Sequence, residues 1–157
     1  MCQTIEKRLD ELGIELPAAA NSVANYLPVA QAGSIILTSG QLPLADGKLI
    51  AAGLLGRDID VAVGALAAKH CAMNILAQAK ACLGGLERIA RIVKITVFVA
   101  SAADFTEQHL VANGASDLLV AVFGEKGRHA RSAVGVAALP MNAPVEIEAI
   151  IEITPEQ

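Results

Sequence analysis

The chain has 157 residues and a formal net charge of −4, with 54% hydrophobic but only 3% aromatic residues. That length suits a single domain, 1–157, whose one core must be built from Ala, Val, Ile and Leu. Clustered Lys/Arg and stacking rings are missing, which argues against a nucleic-acid partner, and no apolar run approaches the ~20 residues of a membrane span.

Charged residues make up 18% of the chain, below the roughly 25% usual in soluble domains. With a positive mean hydropathy, this implies that part of the surface is covered by a partner subunit. The first sixteen residues carry Glu6, Asp10 and Glu11, so they do not read as a signal peptide, and a cytoplasmic location is expected. Cys2, Cys71 and Cys82 form no CxxC pair. Cys71 and Cys82 sit too far apart on one helix to bridge, and both read as buried structural thiols. His70, His109 and His129 lack metal-ligand spacing, so no metal is expected.

In chain order, Thr4 to Leu12 predicts a short amphipathic helix, capped by Thr4 and stopped by Gly13. Leu16 to Pro28 is a connector. Ser34 to Ser39 predicts a strand, and Ala45-Asp46-Gly47-Lys48 predicts a hairpin turn. Asp58 to Leu83 carries Ile59, Val63, Leu66, His70, Met73 and Ala77 at helical spacing. Asp58 or Asp60 can cap that helix, and Gly84-Gly85 ends it. His70 reads as a core histidine in preference to a ligand. Ile89 to Ala100 is β-branched throughout and predicts a strand buried on both faces. Asp104 to Phe123 predicts a second helix, interrupted near Asn113-Gly114, with Ser116 or Asp117 as a second cap. Arg131–Ala138 and Val145–Ile153 predict strands joined across Pro140 to Pro144. The order ββ–α–β–α–ββ predicts an α/β (α+β) fold, with one mixed sheet and two main helices on one face.

Two features point to chemistry. On the last strand, period two places Glu146, Glu148 and Glu152 on one face, opposite Val145, Ile147, Ala149, Ile151 and Ile153. Such a row must be solvated, paired or used. Upstream, Arg131 stands in a small apolar segment, where a guanidinium is costly without a partner. Its planar fork matches a carboxylate ligand. The alternative is an internal salt bridge to a strand glutamate, and simple hairpin pairing sets Arg131 opposite Glu152. Gly40, after Ser39, lets a ligand approach the backbone, and Ser39 can donate a hydrogen bond. Tyr26, the only tyrosine, sits in the connector.

The segments SIILTSGQLPL, VKITVFVASAADF and ARSAVGVAALPMNAPVEIEAI, in this order between Tyr26 and Ile153, resemble the Rid (reactive intermediate deaminase, YjgF-type) family. The resemblance implies a chorismate-mutase-like fold and a homotrimer with pockets between subunits. It also implies cofactor-independent hydrolysis of 2-imino acids or enamines to 2-keto acids and ammonia. Arg131 matches the arginine that grips the substrate carboxylate, and Glu146 the glutamate near the attacking water. Tyr26, Ser39, Gly40 and Pro140 match other pocket positions, and the backbone carbonyl of Ala133 helps to orient water. Three departures mark a divergent branch. Ala133 stands where deaminase-type members usually carry cysteine, and Gly135 replaces a commonly acidic position. The helix after Asp104-Phe105 reads as carrying an insertion, leaving Asn113 and Ser116 both open as the pocket asparagine's counterpart. The alternative function is a non-catalytic trimer that binds a small carboxylate. An RNA-cleaving label that some relatives carry fits poorly with the acidic balance.

Overall fold

The computed structural model describes residues 3–156, so Cys2 lies outside the described residues. Helix α1 spans Ile5–Glu11, and the Thr4 side chain accepts from the Lys7 N–H at its start. Strands β1 (Val29–Ala32) and β2 (Ile35–Thr38) follow. The short hairpin β3 (Leu44–Ala45) and β4 (Lys48–Leu49) forms a separate two-stranded sheet. Its turn residues Asp46 and Gly47 both take positive φ (51° and 75°), as a tight hairpin turn requires. Helix α2 is Val61–Leu83, β5 is Ile89–Ala100 and α3 is Gln108–Phe123. Strands β6 (Ala130–Val136) and β7 (Val145–Ile153) complete the order.

The main sheet runs β1-β2-β7-β5-β6 and is mixed, with β6 parallel to β5 and the other pairs antiparallel. Helices α2 and α3 cover one face. Ile95, Val97, Val99, Val145, Ile147 and Ile151 point into that layer and are almost fully buried. Ala67, Ala68, Ala72 and Ala79 of α2 and Ala112 and Ala115 of α3 join them in the core. These small side chains let helices lie close to the sheet and to each other. Gly114 takes this furthest, since a Cβ there would overlap the Ala65 backbone of α2.

Several expectations are corrected. Helix α3 runs unbroken through Asn113-Gly114, because Gly114 serves close helix packing and does not end a segment. It begins at Gln108, not Asp104. Asp60, not Asp58, caps α2 by accepting from the Val63 N–H. The Asp58 carboxylate is taken by the Leu54 N–H and Arg57. Cys71 is buried but Cys82 is exposed. Strand β5 is covered on one face only, with Lys94, Thr96 and Phe98 half-buried on the other. Strand β1 lies between the connector and the expected strand at Ser34 to Ser39, where the sequence predicts no element. Strands β6 and β7 do not pair, because β5 lies between them. Arg131 therefore faces Ile95, and Glu152 faces Arg91 and Ile35.

Candidate functional site

Strand β6 is the last strand of its sheet, so one of its edges carries no partner strand. Its register with β5 pairs Arg131 with Ile95, Ala133 with Val97 and Gly135 with Val99. All three therefore stand on the helix-covered face, in the seam between β6 and α3. Ala133 packs against the core. Gly135 is exposed at the end of this row, and a Cβ there would lie 2.8 Å from Ser101 Oγ and 2.9 Å from Gln108 Nε2, so those side chains would have to shift to admit one. Beyond it, a cleft of about 590 Å³ opens between Leu54, Arg57, Ser101, Phe105, Gln108 and Gly135.

Arg131 is half-buried, and neutral acceptors on α3 hold it. Its Nη1 donates to Asn113 Oδ1 at 2.9 Å and to Ser116 Oγ at 3.1 Å. Its Nη2 donates to the His109 carbonyl at 3.3 Å. Residues 113 and 116 are one helical turn apart and share a face, so the helix presents both to the strand. None of the ion pairs among the described residues includes Arg131. A guanidinium has five N–H donors. Three are used, which leaves Nε–H and one Nη2–H without an acceptor among the described residues. An adjacent Nε–H and Nη2–H form the edge that receives a carboxylate with two parallel hydrogen bonds.

The salt bridge set against ligand binding is absent. Glu152 instead pairs with Arg91 at 2.7 Å. Glu146 and Glu148 stand level with Phe98 and Thr96 on the open face. Glu146 is half-buried and has no hydrogen-bonding side-chain partner among the described residues. Burial, then repulsion from Glu148, pushes its carboxyl above the ordinary value. Gly40 lies directly against it, and a Cβ on Gly40 would overlap the carboxylate. The neighbouring Gln41 is tied to Ile147 by two backbone hydrogen bonds, which fixes that approach. Ser39 does not offer its hydrogen to a ligand, because Oγ donates to the Leu27 carbonyl at 2.6 Å. With Ser39 N–H on the Pro28 carbonyl, this pins the connector carrying the exposed Tyr26 beside Gly40. Pro140 is exposed in the turn between β6 and β7, where Met141 and Asn142 both take φ of 61°.

Within one chain the residues form two groups. Arg131, Ala133, Asn113 and Ser116 line the seam under the helices, while Glu146, Gly40, Ser39 and Tyr26 lie toward the open face. Arg131 and Glu146 are two strands and three residue levels apart, so their Cα atoms are separated by roughly 14 Å, with side chains on opposite faces. A small acid cannot bridge them in a single chain. The His109 carbonyl and His129 are contacts that sequence reasoning missed. His129 had a signal, since period two puts it on the same face as Arg131.

Among the described residues no three of His, Cys, Asp and Glu converge as a metal ion would need. Among the described residues no helix is long and apolar enough to cross a membrane.

A five-stranded mixed sheet with two helices on one face, and an unneutralised arginine on its edge strand, defines a protein of the chorismate-mutase-like α+β class. Residues 6–153 match the family described as "YjgF/chorismate_mutase-like, putative endoribonuclease", and the chain belongs to that family. It is 49% identical to Protein TCP17 of Trypanosoma cruzi, over 95% of this chain and 94% of that protein. A solved structure of Atu1372 from Agrobacterium tumefaciens, of unknown function, superposes with a TM-score of 0.90 at 56% identity, covering 96% of this chain and 92% of that one. The 2-iminobutanoate/2-iminopropanoate deaminase of Salmonella typhimurium is 33% identical over 84% of this chain and 90% of that protein.

Proposed function

We propose that this protein hydrolyses 2-imino acids or their enamine tautomers to 2-keto acids and ammonia, in pockets shared between subunits of a homotrimer. The observation that carries this reading is the state of Arg131. Its charge has no carboxylate partner among the described residues, and its unused N–H groups make the edge that suits a substrate carboxylate. The family contains deaminases of this kind.

The chemistry asks little of the protein beyond positioning. An imine carbon is already electrophilic, so orienting substrate and water supplies most of the advantage. Arg131 fixes the carboxylate. Water adds to C2 and gives a carbinolamine, and its collapse releases ammonia and leaves the keto group. Glu146, with its raised pKa, takes and returns the water proton near neutral pH more readily than an exposed carboxylate. The Ala133 carbonyl helps to aim the water, and Tyr26, Ser39, Gly40 and Pro140 shape the pocket around it. No cofactor is needed.

Because Arg131 and Glu146 face opposite sides of the sheet, the site is completed when the β6 edge of one chain meets the Tyr26–Gly40–Glu146 face of another. Exposed Leu37, Val134, Tyr26 and Leu27 fit a surface that a second copy covers. The test is complementation. Arg131→Ala and Glu146→Gln are each expected to be inactive toward 2-iminobutanoate generated in situ by an amino-acid oxidase. Equal mixing by co-refolding is expected to restore about a quarter of wild-type activity, the share of interfaces with both native residues in a cyclic trimer. Loss of activity in both variants without recovery would contradict a shared site. A wild type that does not accelerate keto-acid formation would remove the activity.

One observation favours a second reading, a binding protein without turnover. Ala133 supplies no thiol, and Gly135 supplies no carboxylate. Calorimetric binding of a keto acid that disappears in Arg131→Ala, with no imine hydrolysis, would establish that reading instead.

A further inference from the structure

Behind Arg131 lies a chain of hydrogen bonds that the reaction above does not use. Ser116 Oγ is 2.9 Å from His129 Nε2, and His129 Nδ1 is 2.6 Å from the Gly127 carbonyl. The direction of each link follows from donor chemistry. A carbonyl only accepts, so Nδ1 carries a hydrogen. In the neutral ring Nε2 is then an acceptor, and only the Ser116 hydroxyl can supply its hydrogen. With that hydrogen committed, the hydroxyl turns its lone pairs toward Arg131 Nη1.

The far end of the chain is rigid. Gly127 is buried, and a Cβ there would overlap the Leu119 backbone at the end of α3. The accepting carbonyl is therefore seated on the helix that also bears Ser116. Without His129, a serine in mid-helix would turn its hydrogen back to the carbonyl one turn earlier. Its lone pairs would then turn from their present direction toward the guanidinium.

We propose that Ser116 and His129 are positioning residues, a relay that orients the Arg131 guanidinium so that its Nε/Nη2 edge stays open for the ligand carboxylate. The relay accounts for one of the two Nη1 hydrogen bonds. It lets a neutral group hold the arginine without quenching its charge, as a carboxylate partner would. This inference rests on the reading of Arg131 as the anion anchor, but its geometric part can be tested alone.

The test pairs nitrogen NMR of the Arg131 guanidinium with calorimetric titration of pyruvate. In the wild type, restrained rotation should give resolved Arg131 Nη resonances, with pyruvate absent. Ser116→Ala should merge them and weaken pyruvate binding about tenfold, the effect of one lost hydrogen bond to a charged group. Ser116→Thr, which keeps the hydroxyl, should restore both to within about threefold. His129→Leu should behave like Ser116→Ala, and His129→Gln, which offers an acceptor near the Nε2 position, should recover much of the effect. Unchanged Arg131 resonances in Ser116→Ala would overturn the relay, whether or not His129→Leu folds. Merged resonances in a protein whose wild type binds no pyruvate would leave the relay standing and remove the ligand reading instead.

Discussion

Arg91 and Arg131 stand on the adjacent strands β5 and β6 of one sheet, and their surroundings differ. Arg91 is exposed on the open face and pairs with Glu152 at 2.7 Å, side chain to side chain across the β5–β7 ladder. Arg131 points the other way, into the seam under α3, where its acceptors are an amide, a hydroxyl and a backbone carbonyl. The first is neutralised within the chain and surrounded by water. The second keeps its charge while its orientation is held. A partly buried charge held only by neutral acceptors is less well compensated than a solvated ion pair, so the contrast separates a surface pair from the binding group proposed above.

The largest expected effect bears directly on this contrast. Arg131→Ala should reduce kcat/KM for an imino acid by about a hundredfold or more, the loss of two charge-assisted hydrogen bonds. Arg91→Ala should stay within about twofold, since exposed ion pairs contribute little. Steady-state keto-acid formation checks both, and equal losses would erase the distinction.

The seam itself can be strained next. Gly114→Ala would normally favour a helix by about 1 kcal/mol. Here the added methyl meets the Ala65 backbone, so denaturant unfolding should show a loss of about 1–3 kcal/mol instead. A gain would mean that α2 and α3 lie farther apart than described. Asp60→Ala removes the cap of α2, away from both arginines, and should cost about 1 kcal/mol in the same assay while leaving kcat/KM unchanged.

The smallest effect concerns the open face. Glu146 titrates above its ordinary value because of burial and then Glu148. The folded state thus holds that proton more tightly than the unfolded chain does. Stability falls as pH rises from the unfolded carboxylate value, about 4.3, to the raised folded value, and stays lowered above it. Glu146→Gln should therefore melt about one to three degrees higher than wild type near neutral pH, with the difference closing below about pH 4. A variant that melts lower at neutral pH would show that the carboxylate is stabilised by a partner.

The elements were legible where side-chain pattern alone determines them. The long helix ending at Gly84-Gly85, the β-branched run of β5 and the Asp46-Gly47 turn follow from local chemistry. The alternation that splits Glu146 and Glu148 from Val145 and Ile147 also held, because one face is covered by helices. Pairing order was not legible, since nothing local in β6 or β7 announces that β5 separates them. The expected Arg131–Glu152 pairing failed for that reason. Gly114 misled because a glycine needed for close helix approach looks, in sequence, like a glycine that breaks a helix. Strand β1 was missed because VAQA is short and weakly patterned. For the candidate site, Arg131 stood out as a charge in an apolar run, and Asn113 and Ser116 were in view. That both of them reach Arg131, and that Glu146 lies on the other face, needed the three-dimensional register.

The most direct test is a crystal structure with 2-ketobutyrate bound. The expected result is a carboxylate on the Nε/Nη2 edge of Arg131, with Asn113 and Ser116 still on Nη1 and a neighbouring copy's Glu146 near the keto carbon. A ligand seated elsewhere while Arg131 stays empty, or an Arg131 turned onto a carboxylate of the protein itself, would contradict the account.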